Sequence, residues 1–163
     1  MTLRAISVRK VDRDRRSSSF FVSLREDENP RRQFDILVGL AEGTMIRVLT
    51  EGESTPRPLT HDLFVTTLER LGAGIVRTVL TRVDNGTYFA EVVVSGPEGE
   101  VVLSCRPSDG IALALRAHAP LFALEELLEA VGVEPADLAP ETTEIIDEFR
   151  DFIENIRPED FDL

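Results

Sequence analysis

Two short stretches gather groups that could act on a phosphodiester. In Arg57-Pro58-Leu59-Thr60-His61-Asp62-Leu63, an Arg-Pro pair precedes a hydroxyl, an imidazole and a carboxylate. In Arg106-Pro107-Ser108-Asp109-Gly110-Ile111-Ala112-Leu113-Ala114-Leu115-Arg116, the same pair precedes a hydroxyl and a carboxylate at the head of an apolar helix. Phosphodiester hydrolysis needs an activated water, positive charge on the phosphate and a stabilised leaving oxygen. Histidine is the natural acid or base near neutral pH. Arginine binds two phosphate oxygens through one planar fork. The catalytic candidates are therefore His61, Asp62 and Asp109, with Arg57, Arg106 and Ser108 as phosphate ligands. A divalent metal, Mg²⁺ or Mn²⁺, is the expected cofactor, and Asp62, Asp109 and Glu42 are its candidate ligands. No dense D-x-D or His-x-Glu motif occurs, so such a site has to be assembled in space.

Helix capping accounts for the same residue types without any chemistry. Pro and Ser start helices, and an Asp or Glu in the first turn stabilises their positive ends. Alternatively, the free N–H groups of such a terminus join Arg106 in an anion pocket. Both readings stay open for Asp109, Glu42 and the His61-Asp62 pair. His118, just past a helix, reads as a capping residue, and Cys105, ending an apolar strand, as a small core residue.

The elements that must hold these residues follow from apolar periodicity. Strands are predicted around Ile6 and Val8, and over Phe20–Leu24, Gln33–Val38, Ile75–Val83, Thr87–Ser95 and Glu100–Cys105. Asn85-Gly86 reads as a hairpin turn because both residues tolerate positive φ. Helices are predicted over Ala41–Thr50, Leu59–Leu71, Ser108–Ala117 and Ala123–Val131. The two halves share one order of elements and a weak internal match, from Val11-Asp12 with Val83-Asp84 to Leu71-Gly72 with Val131-Gly132. The expected class is α+β. Two βββαα repeats, about 3–72 and 73–132, form a single curved, barrel-like, mostly antiparallel sheet with helices packed on it.

The domain is expected to span 1–132, with residues 133–163 as an acidic linker and an amphipathic tail helix. In that tail Ile145, Ile146, Phe149, Phe152, Ile153 and Ile156 mark a narrow apolar stripe opposite Asp147, Glu148, Asp151 and Glu154. Such a stripe needs a partner, either its own domain or another protein. The net charge is −12 over 163 residues. From Glu134 onward there are 11 acidic and 2 basic residues, so the domain itself is near neutral and its charge does not exclude nucleic acid. Arg9, Lys10, Arg13, Arg15 and Arg16, with Arg31 and Arg32, form a candidate basic rim. No apolar run approaches a membrane span, and a single cysteine excludes an intramolecular disulfide. A cytoplasmic protein is expected.

The two Arg-Pro stretches, with Gly86-Thr87-Tyr88-Phe89-Ala90 and Ala119-Pro120-Leu121, resemble the signature of the bifunctional nuclease family. The chain departs from that pattern at Phe34-Asp35-Ile36-Leu37, where Leu-Pro-Ile is usual, at Gly43-Thr44-Met45-Ile46-Arg47-Val48, where an Ala-rich helix is expected, and at Gly110, where Ala is commoner. The tail looks like the acidic extension of certain bacterial members. The resemblance implies the two-repeat fold and a nuclease that hydrolyses phosphodiester bonds in DNA and RNA with low sequence preference. Nucleic acid is then the expected partner, and a homo-oligomer, a dimer in the simplest case, the expected assembly. The alternative is a non-catalytic module that binds an anion or nucleotide and acts through protein partners.

Overall fold

The computed structural model describes residues 1–53 and 55–135. Its elements run β1 (Leu3–Arg13), β2 (Ser19–Glu26), β3 (Gln33–Gly39), α1 (Leu40–Glu51), α2 (Thr60–Arg70), β4 (Gly74–Asp84), β5 (Thr87–Gly96), β6 (Gly99–Cys105), α3 (Pro107–Ala117), β7 (Leu121–Leu124) and α4 (Glu125–Val131). This is a mixed α+β chain. The tail helix expected after residue 140 lies outside the described residues.

The strands form one sheet in the order β3-β2-β1-β7-β4-β5-β6. Each half contributes a three-stranded meander, and β7 joins the two, antiparallel to β1 and parallel to β4. This corrects the sequence reading, which placed Leu121–Leu124 near the start of a helix and gave the second half as βββαα. Leu121-Phe122-Ala123-Leu124 is apolar throughout, so it shows neither the helical nor the alternating period. A central strand covered on both faces looks like that. Leu121 and Ala123 are buried, and Phe122 and Leu124 are half-buried. The Asn85-Gly86 hairpin forms as expected, with φ of 48° and 77° at the two turn residues.

The single sheet is mostly antiparallel and open: β3 and β6 remain its two edges. It curls nonetheless, because Phe34 on β3 stacks on Tyr88 of β5 with ring centroids 6.1 Å apart. The concave side holds the main core. Ile6, Val22, Leu24, Phe34 and Ile36 from the first meander meet Ile46 of α1, Ile111 of α3 and Leu127 and Leu128 of α4 there. A smaller cluster of Val92, Val94 and Leu113 receives Val65 and Leu68 of α2. Helix α2 buries no residue fully and leaves Leu63 and Phe64 exposed, so it is the least anchored helix on this side.

Two close approaches fix the helices. Gly43 of α1 lies where a Cβ would stand 2.4 Å from Phe20 of β2. Gly110 of α3 leaves room for the side chains of Thr78 and Cys105, and the Thr78 hydroxyl donates to its carbonyl at 2.9 Å. In both places a Cβ would push a helix off the sheet.

At the opposite end of the concave side, Glu26 is buried at 1 % exposure and accepts hydrogen bonds from Arg4 and Arg32, each at 2.8 Å. Arg32 also reaches Glu125 at 2.7 Å. Arg32 therefore belongs to an internal ion-pair network and is no part of a basic rim. Burial pushes the Glu26 carboxyl up, but the hydrogen bonds from Arg32 and Arg4 outweigh it and hold it at about 2.

Candidate functional site

Three helices, with α3 packed between α1 and α2, carry the candidate residues in their first turns. Each carries a carboxylate three residues past its N-cap: Glu42 after Gly39, Asp62 after Leu59 and Asp109 after Arg106. That position favours an acid through the helix dipole alone. What sets the three apart is the rest of their surroundings.

Asp62 is fully engaged. Its Oδ2 accepts the Leu59 backbone N–H at 2.7 Å, and its Oδ1 pairs with Arg116 from α3. The N-cap is thus Leu59, one residue earlier than a Thr60 cap would be, and Asp62 supplies the capping oxygen. Arg116 was not singled out from sequence. Its signal was its spacing, seven residues beyond Asp109 on one helix, which puts it on the same side as that turn.

Asp109 and Glu42 share one cation. Arg106 donates from Nε and Nη2 to the two Asp109 oxygens at 2.8 and 3.2 Å, and from Nη1 to Glu42 at 3.2 Å. Hydrogen bonding to Asp109, then its charge and that of Glu42, raises the Arg106 guanidinium above its ordinary value. A guanidinium has five N–H groups, so two remain for another acceptor. Arg106 is 66 % exposed, which leaves them accessible.

Asp109 also faces His61 of α2, whose Nε2 stands 3.7 Å from Oδ1. That is too long for a hydrogen bond, yet short enough for both atoms to address one oxygen placed above the gap. His61 Nδ1 is buried and has no partner among the described residues. The pair lines a cavity of about 440 Å³ whose other walls are mainly apolar, including Phe64, Val92, Leu103 and Leu113. Cys105 lines the same cavity. Burial, with the Asp109 charge behind it, pushes its thiol up to about 11, so it stays protonated near neutral pH and is no nucleophile.

The structure thus joins His61, Asp109, Arg106 and Glu42 in one chain of contacts, with Ser108 beside its Glu42–Arg106 end and Arg57 and Asp62 apart from it. Ser108 is buried and lines a second hollow that it shares with Glu42, Arg106 and Tyr88. Arg57 lies in a third groove with Asp62 and Arg116, so the two Arg-Pro motifs do not converge on one pocket. Among the described residues no three His, Cys, Asp or Glu side chains are grouped to hold a metal ion. Asp109 and Glu42 already neutralise Arg106, and Asp62 is held by Arg116.

Residues 22–136 match the bifunctional nuclease domain. The chain belongs to the bifunctional nuclease domain family. The match opens within β2 and closes just past α4, so it contains all three helix starts of the site. Two relatives, the uncharacterized proteins MT1877 and Rv1829 from two strains of Mycobacterium tuberculosis, are each 30% identical over 146 residues. The alignment covers 86% of this chain and 87% of each relative. A nuclease-like or nucleic-acid-binding role is what membership of the bifunctional nuclease family suggests. Among the described residues, no helix is long and apolar enough to cross a membrane.

Proposed function

We propose that this bifunctional nuclease domain hydrolyses phosphodiester bonds in DNA and RNA with little sequence preference, using His61, Asp109 and Arg106. The observation that carries this reading is the His61–Asp109 pair, lining one cavity, with Arg106 clamped on the same carboxylate. His61 takes a proton from water through Nε2 as the water oxygen attacks phosphorus. Asp109 stabilises the imidazolium that forms. The two unused N–H groups of Arg106 hold the non-bridging oxygens as negative charge builds on them. The bond to the leaving oxygen then breaks, and the imidazolium returns its proton to that oxygen. Asp62 caps α2 and ties it to α3, which positions His61 without touching substrate.

A binding module without catalysis is the second reading. One observation favours it: His61 Nε2 and Asp109 Oδ1 stand 3.7 Å apart, without the hydrogen bond that would orient a general base.

The test is a cleavage assay on labelled single-stranded DNA, duplex DNA and RNA, with Mg²⁺, Mn²⁺ or EDTA, for the wild type, His61→Ala and Asp109→Asn. General acid–base groups contribute about 10²- to 10⁴-fold. Each substitution is expected to lower the rate by at least about 10²-fold while the fold is kept. Equal rates in wild type and variants would remove the reaction from this site. Binding without cleavage under every condition would leave the module reading.

A further inference from the structure

We propose that the chain forms a two-fold dimer through β6, whose outer edge pairs antiparallel with the same edge of a second copy about Val102. Strand β6 ends the sheet on one side, and among the described residues nothing pairs with its outer edge. Its centre is Val101-Val102-Leu103, and these residues are 55 %, 56 % and 45 % exposed. Val101 pairs with Val94 and Leu103 with Val92, so both lie on the concave face, while Val102 lies beside Val93 on the convex one. A bare, apolar edge strand is a template for a further strand.

The opposite edge shows how this sheet guards a strand against such pairing. On β3, Val133 exchanges both backbone hydrogen bonds with Gln33, and Asp35 puts a charge at mid-strand. Covers, charges, prolines and bulges are the usual guards of an edge. The centre of β6 has none of them. Its pairing with β5 runs without a register shift, and its one charged residue, Glu100, lies near its start.

Self-complementarity selects a second copy as the occupant. The Pro97-Glu98 turn closes on the Gly96–Gly99 pair, and from there alternate residues of β6 address β5. Glu100, Val102 and Ser104 therefore turn their N–H and C=O groups outward. A two-fold axis at Val102 sets that residue against itself, Glu100 against Ser104 and Val101 against Leu103. Outward backbone groups then meet their like, and apolar side chains meet on one face. The register opposes no like charges. Continued past the strands, it sets Glu98 level with Arg106 of the other copy. Leu103 also walls the cavity that His61 and Asp109 line, together with the exposed Phe64 of α2. Each copy thus adds a valine, Val101, beside the wall of the other's cavity. The inference does not rest on the nuclease reading.

The experiment uses the full chain. Sedimentation velocity is expected to show a dimer for the wild type. Val102→Lys, which sets two ammonium groups together at the axis, is expected to raise the dissociation constant at least about tenfold with circular dichroism unchanged. A second measurement reads the register. Facing residues in a hydrogen-bonded antiparallel pair have Cα atoms about 5.5 Å apart, within disulfide range. Under mild oxidation, linked dimers are expected from a mixture of Glu100→Cys and Ser104→Cys proteins and not from either alone. A monomeric wild type overturns the proposal, and slow exchange of its Val102 amide would assign the edge to another segment of the same chain. A dimer indifferent to Val102→Lys, or a mixture that links no better than its components, also overturns it and places the interface elsewhere.

Discussion

At the level of single residues, three carboxylates occupy equivalent positions in three helices and are distinguished only by their partners. Asp62 gives both oxygens to structure, one to the Leu59 N–H and one to Arg116. Asp109 takes Arg106 on both oxygens and also faces His61 with Oδ1. This difference is measurable. Asp62→Ala is expected to cost about 1 kcal/mol of stability, the usual price of a lost N-cap oxygen. Cleavage per folded molecule should fall far less than in Asp109→Asn, because Asp62 acts through the placement of α2. Urea unfolding of both variants beside the cleavage assay separates the two roles. A loss of turnover in Asp62→Ala as large as in Asp109→Asn, at equal folded fraction, would put Asp62 among the catalytic groups.

Among elements, α1 and α3 are seated by their closest contacts and α2 mainly by its cap and the small cluster. Gly43 shows how tight the α1 seat is. The atoms a Cβ would meet are Cβ and Cγ of Phe20, which sit near the backbone and cannot swing away. Gly43→Ala is therefore expected to destabilise the domain by about 1–3 kcal/mol from overpacking, despite roughly 1 kcal/mol gained in helix propensity. The urea midpoint should fall with the slope unchanged. The same shift of α1 would carry Glu42 away from Arg106, one residue from the clash. A midpoint at or above that of the wild type would mean that β2 yields easily at Phe20.

On the scale of the whole molecule, the Glu26 network ties both ends of the chain's fold together: Arg4 of β1, Arg32 before β3 and Glu125 of α4 meet on one buried carboxylate. Its folded value of about 2 lies below the ordinary 4.5. A carboxylate depressed on folding stabilises the protein fully above its unfolded value, and the benefit is lost as pH falls toward the folded one. Stability is thus expected to drop by roughly 2–4 kcal/mol between pH 4.5 and 2 from this group. Glu26→Gln should remove that part of the acid transition and, at neutral pH, cost about 1–3 kcal/mol, because Arg4 and Arg32 lose a charged acceptor but keep Glu125. Thermal unfolding of both proteins across this pH range is the check. An unchanged acid transition in Glu26→Gln would assign it to other carboxylates.

The sequence by itself determined the class, the six strands of the two meanders and the helix starts. Those depend on local periods, turn residues and caps, such as Asn85-Gly86 and Pro107-Ser108-Asp109. Family membership was legible for the same reason, since its motifs are contiguous. Tertiary structure decided what lies far apart in sequence. It made Leu121–Leu124 a central strand, because only two flanking strands reveal that an all-apolar tetrapeptide is covered on both faces. It left the sheet open, since closure depends on curl and on which strand pairs at the edge. It also sorted the candidates, joining His61 to Asp109, Arg106 and Glu42 while giving Asp62 to Arg116, Arg57 to another groove and Arg32 to Glu26. Residue type told which groups can hold a proton or a phosphate; only packing told which partner each one already has.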